Sequence, residues 1–131
     1  MWFKLPALVL GVALLAKGLA GLVVPGRFYA WRRAQFSTWR VPGAVWVSPS
    51  IAAGLAVVTW SATTFHAMAW NWVVPVTLTL GALAGFVNLA RWPVYRKHGL
   101  RMVTNPALHR KLDCGIVVAG CAVVMFAITV Y

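Results

Sequence analysis

Two charged side chains stand where the sequence makes charge expensive. Lys17 interrupts an apolar stretch over residues 5–24, and Asp113, the only acidic side chain of the 131 residues, lies near the start of another over residues 112–131. An ionisable group at membrane depth is costly and by default marks a pairing, an ion route or a ligand contact. Opposite in sign, Lys17 and Asp113 suit an ion pair between two helices or two polar points on a proton or ion path. The plainer reading of Lys17 is snorkelling, its aliphatic stem carrying the ammonium toward headgroups. It precedes Pro25 by eight residues, about 12 Å of helix at 1.5 Å per residue. Asp113 can equally pair with His109 or Arg110 about one helical turn earlier.

His66 is the third candidate, close in sequence to Trp60, Trp70 and Trp72. A neutral imidazole can ligate haem iron or a pigment magnesium. A bis-histidine haem would need a second axial ligand, and His98 and His109 are expected at the other end of the molecule. A single-ligand pigment site or a quinone contact stays open; the plainer reading is an interfacial polar histidine. Cys114 and Cys121, seven residues apart, share one helix face and read as small packing residues. With one carboxylate there is no acid/base pair. No Cys/His cluster has metal spacing, and no nucleophile elbow or phosphate loop occurs. The sequence therefore points to a non-enzymatic role.

The elements that must carry these residues follow from hydropathy. The chain is 62% hydrophobic and 10% charged, and four apolar stretches, residues 5–24, 44–65, 73–90 and 112–131, nearly exhaust it. Each approaches the roughly 20 residues that cross a hydrocarbon core as a helix. The expectation is a single all-α domain over residues 1–131, a four-transmembrane-helix bundle. Lys4 followed by Leu5–Ala16 begins like a signal peptide, but the apolar stretch resumes after Lys17 without a small-x-small site, so a retained first helix is expected. Pro25-Gly26 ends the first span, and Asn105-Pro106 starts the last helix near Ala107. Ser48-Pro49 offers a similar start for the second span, leaving Val41–Val47 as a connector. Small residues mark contact faces: Gly11, Gly18 and Gly21 in the first span, Ser50 and Gly54 in the second, Gly81 and Gly85 in the third, Gly115, Ala119 and Gly120 in the fourth. Trp60 is expected to pack within the second span.

Ten of the twelve basic side chains fall between spans. Arg27, Arg32, Arg33 and Arg40 separate the first from the second; Arg91, Arg96, Lys97, Arg101, Arg110 and Lys111 separate the third from the fourth. The segment His66–Trp72 carries no Lys, Arg, Asp or Glu. Short basic segments stay cytoplasmic, so both termini are expected outside an inner (plasma) membrane. Phe28, Trp31, Gln35 and Trp39 share one helical side, with Arg33 and Arg40 turned away, which reads as a short amphipathic helix in the interface. All ten cations are expected to face anionic lipid or an acidic partner, each worth on the order of 1 kcal/mol near an anionic leaflet. No nucleic-acid recognition motif accompanies the charge, and a membrane protein needs no nucleic acid to explain it.

The reading that fits best is a small, non-catalytic accessory or structural subunit of a larger membrane complex, respiratory or photosynthetic, with bound phospholipid. The alternatives are a small oligomeric transporter or channel using Lys17, Asp113 and Asn88, and a pigment-, haem- or quinone-binding membrane protein centred on His66.

Overall fold

The computed structural model describes residues 1–131 as six helices without strands: α1 (Lys4–Val23), α2 (Pro25–Ser37), α3 (Gly43–Phe65), α4 (Val73–Ala90), α5 (Trp92–Thr104) and α6 (Pro106–Val130). Four of these, α1, α3, α4 and α6, are long and apolar enough to cross a membrane. Val12, Val57, Leu80 and Val118 lie open on these helices, from 57 to 68% exposed. Four long helices with such apolar outer faces make a multi-pass membrane protein, because hydrocarbon rather than water suits that surface.

Prolines set three of the junctions. A single residue separates α1 from α2, α4 from α5 and α5 from α6, and Pro25, Pro93 and Pro106 each occupy the first turn of the following helix. Proline fits there because its missing N–H has no helical acceptor to serve, and at Pro25 and Pro106 it also keeps the preceding residue out of helical geometry. Val24 accordingly has φ −125° and ψ 58°. Asn105 adds a true cap, its side-chain oxygen accepting from the Leu108 N–H at 3.3 Å.

The Ser48-Pro49 start is not used. The second span begins at Gly43, and Pro49 is buried inside it. Packing offsets the lost hydrogen bond: a Cβ on Gly85 of α4 would fall 2.7 Å from the Pro49 Cβ, so the proline ring fills the space that Gly85 leaves. Gly81, Gly54 and Gly115 face open space and Ser50 is exposed, so of the two expected small-residue faces of α3 and α4 only Gly85 makes a close approach. The residues between the third and fourth spans also form a helix, α5, rather than a loop. Trp92, Gly99 and Val103 give it a buried side at helical spacing.

The helices associate mainly as α1 with α6, α3 with α4 and α2 with α5. Glycine lets α1 and α6 meet backbone to backbone: a Cβ on Gly18 would sit 3.0 Å from the Asp113 carbonyl oxygen. Trp60 Nε1 donates to Thr79 Oγ1 at 2.9 Å between α3 and α4. Cys114 and Cys121 are exposed rather than packed, because α6 turns its Gly120 side toward α1. At one end of the molecule Ala7, Ala56, Val74, Leu78 and Ala127 join all four long helices in one apolar cluster. Tyr131 stacks on Phe3 there, and its hydroxyl donates to the Trp70 carbonyl at 2.6 Å. At the other end α2 and α5 pack on each other and against the ends of the long helices.

Candidate functional site

Between α1, α2 and α6 one charge cluster is buried. Asp113 and His109 are 0% and 1% exposed, one turn apart on α6, and Arg32 of α2 reaches them at 8% exposure. Arg32 Nη1 donates to Asp113 Oδ1 at 3.1 Å and to His109 Nε2 at 2.8 Å, and His109 Nδ1 lies 3.0 Å from Asp113 Oδ2. One tautomer satisfies every contact: with the proton on Nδ1, His109 donates to the carboxylate and accepts from the guanidinium at Nε2. Both imidazole nitrogens are then occupied. The cluster holds one positive and one negative charge, and its Arg32 side also borders the cavity that Lys17 lines.

Each member is placed by its element. The break at Val24-Pro25 turns α2 back alongside the end of α1, which brings Arg32 to α6. Gly21 of α1 makes the room, since a Cβ there would collide with the Asp113 carboxylate. The Tyr29 ring covers His109 at 3.7 Å between centroids, and the Phe28 ring lies 4.2 Å from the Arg32 guanidinium carbon. Aromatic faces favour a partly desolvated cation and keep water from the pair.

The structure thus corrects two site expectations. Arg32 does not face lipid or a partner; it turns inward because its planar fork can satisfy a carboxylate and an imidazole at once. Asp113 pairs with Arg32 and with His109, the local alternative, rather than with Lys17. Lys17 forms no ion pair with any of them.

Lys17 instead lines a cavity of about 550 Å³, bounded mainly by α1, α2, α3 and α4 and lined mostly by apolar side chains. Phe28, Trp31 and Gln35, expected on a membrane-facing side of α2, line this cavity too. Asn88 of α4 is a further polar lining residue. The Gln35 side-chain oxygen is buried without a partner. Each polar residue stands alone in the sequence, and only the packing of α2 puts Gln35 and Lys17 on one cavity.

The remaining basic side chains stay on the surface. Arg27, Arg33, Arg40, Arg91, Lys97, Arg101, Arg110 and Lys111 are exposed, while Arg96 donates to the Ser37 carbonyl at 3.3 Å and lies 4.0 Å above the Trp39 ring. His66 is exposed at the end of α3, 6.4 Å between ring centres from Trp2. Comparison with protein-family models, curated proteins and solved structures finds no match.

Proposed function

We propose that this chain is a small, non-catalytic accessory subunit of a larger assembly in an inner (plasma) membrane. Its four long helices form a membrane-spanning bundle, α2 lies in the interface, and the basic end is cytoplasmic with both termini outside. One observation carries the reading. The only acidic side chain is consumed internally by Arg32 and His109, so the exposed cations of α2, α5 and the start of α6 have no carboxylate side chain of their own to meet. Counter-charge must come from anionic headgroups or from an acidic neighbour, and a one-sided field of this kind orients and steers such a partner. The Arg32–His109–Asp113 cluster supports a structural rather than a catalytic role, since each of its polar atoms toward the interior is already matched.

Purification from native membranes in mild detergent tests the proposal. Co-migration with a larger complex is expected. It should weaken with salt and on replacing Arg33, Lys97, Arg101 and Arg110 together by Gln. A discrete homo-oligomer that moves ions when reconstituted in liposomes would overturn the reading in favour of a transporter or channel. A visible absorption band on the purified chain would overturn it in favour of a pigment or haem protein.

A further inference from the structure

The cavity between α1 and α3 combines an apolar wall with an unmatched positive charge. Asp113 spends both of its oxygens on Arg32 and His109, so the Lys17 ammonium has no anion within the chain. Lys17 is exposed where this cavity opens and the cavity is walled mainly by apolar side chains; at membrane depth a cation facing apolar groups without an anion is costly. Gln35 adds an amide whose oxygen is buried without a partner, and Asn88 adds another polar side chain. Much of the remaining lining, Val9 and Leu10 of α1, Ile51 and Leu55 of α3 and Leu78 of α4, is apolar.

The opening of this cavity is lateral. α1 and α3 do not pack extensively on each other; their close neighbours are α6 and α4. Val9 on α1, Val47 and Ile51 on α3 and Trp31 on α2 both line the cavity and stand 46 to 54% exposed. In a chain whose long helices cross a membrane, that gap faces the bilayer. A ligand entering there is a membrane amphiphile, and one that matches Lys17 carries a negative headgroup.

We propose that the cavity is a binding site for one anionic glycerophospholipid. Its phosphate meets the Lys17 ammonium near Gln35 and Asn88, and an acyl chain lies along the apolar wall toward Leu78. The volume of about 550 Å³ falls within the range of small-molecule sites, roughly 300–1,000 Å³. One chain enters while the other stays in the bilayer. The site rests on the membrane placement proposed above but not on the accessory role, and it is separate from the exposed cations, which attract many headgroups weakly.

Native mass spectrometry of the delipidated full chain in mild detergent, titrated with phosphatidylglycerol, tests it. One molecule per chain should be retained, with Lys17→Met weakening it at least tenfold and Lys17→Arg keeping it. Ala52→Phe, which adds bulk to the cavity wall without touching charge, should abolish it. Arg33→Gln combined with Lys97→Gln should leave it intact while lowering further, weaker additions. Circular dichroism and the thermal midpoint confirm that each variant is folded. Retention unchanged by both Lys17→Met and Ala52→Phe would overturn the site. Equal retention of phosphatidylcholine with the same chains would overturn the requirement for an anion. Retention of stearate but not phosphatidylglycerol would replace the phospholipid by a single-chain acid. Failure to co-migrate with a larger complex would refute the accessory role and leave these outcomes untouched.

Discussion

Asp113 has two carboxylate oxygens and two neighbours to take them, Arg32 and His109, and that match sets the cost of changing it. Asp113→Asn leaves the Arg32 guanidinium buried without its counter-charge, and breaking a buried pair from one side costs about 3–5 kcal/mol. Arg32→Met alone strands the carboxylate with the histidine and should be similarly harmful. The double variant removes both charges together, so its loss should be well below the sum of the two single losses. Unfolding in mild detergent by denaturant or heat, arranged as a double-mutant cycle, measures the coupling; additive single losses would show that the pair does not act as a unit. The rarity of acidic side chains made Asp113 visible in the sequence as a residue needing a partner. His109, four residues earlier on one helix, was legible by spacing alone. Arg32 was not, because a partner 81 residues away is set by how α2 turns, and among four basic residues nothing local marks the one that turns inward.

At the scale of the elements, α2 and α5 depend on each other. Phe36 stacks on Trp92 at 6.1 Å between centroids and meets Tyr95 edge-on at 5.6 Å, while Gly99 lies directly under the Phe36 ring. Trp92 Nε1 donates to the Thr38 carbonyl at 3.2 Å, and Arg96 reaches the Ser37 carbonyl, so α5 supplies donors to the end of α2 where helical carbonyls lack them. A cation there also complements the negative end of the α2 dipole. Gly99→Val would drive a branched side chain into the ring. It should cost about 1–3 kcal/mol, the usual penalty of overpacking, and should raise protease cleavage in the 38–42 connector, whereas Lys97→Gln on the exposed side should do neither. Limited proteolysis followed by mass spectrometry distinguishes the two. The long helices and the junctions at Pro25 and Pro106 were readable from hydropathy and from where proline is tolerated; the one at Pro93 was not, because no helix was expected after it. The α5 helix was hidden because six basic residues between spans resemble a solvated loop until the apolar positions at 92, 99 and 103 are read at helical period. The start of α3 was misplaced for a related reason: Ser48-Pro49 has the chemistry of a helix start, and only the fit of Pro49 against Gly85 shows why the helix continues through it.

For the whole molecule, the two ends differ in charge and in architecture. One end carries α2, α5 and the exposed cations; the other carries both termini and the α3–α4 turn, joined by the Tyr131 bond to Trp70 and the contact of Trp2 with His66. This arrangement allows only two orientations across a membrane. The short basic segments favour the one that keeps them in the cytoplasm, since moving Lys and Arg across costs far more than moving an uncharged turn. The prediction can be checked with single cysteine reporters after Cys114 and Cys121 are both replaced by Ala. Both native thiols are exposed on α6 and make no hydrogen bond across helices, so the replacement should leave the fold intact. Ala67→Cys, in the exposed turn, should react with a membrane-impermeant maleimide in intact cells, and Lys97→Cys on α5 should react only after the membrane is opened. The opposite pattern would invert the chain, place the cationic surface outside and remove the cytoplasmic leaflet as its counter-charge. The Arg32–Asp113 pair and the Lys17 cavity would keep their geometry under such an inversion, because both are built from contacts within the chain; only the leaflet that supplies the anion to Lys17 would change.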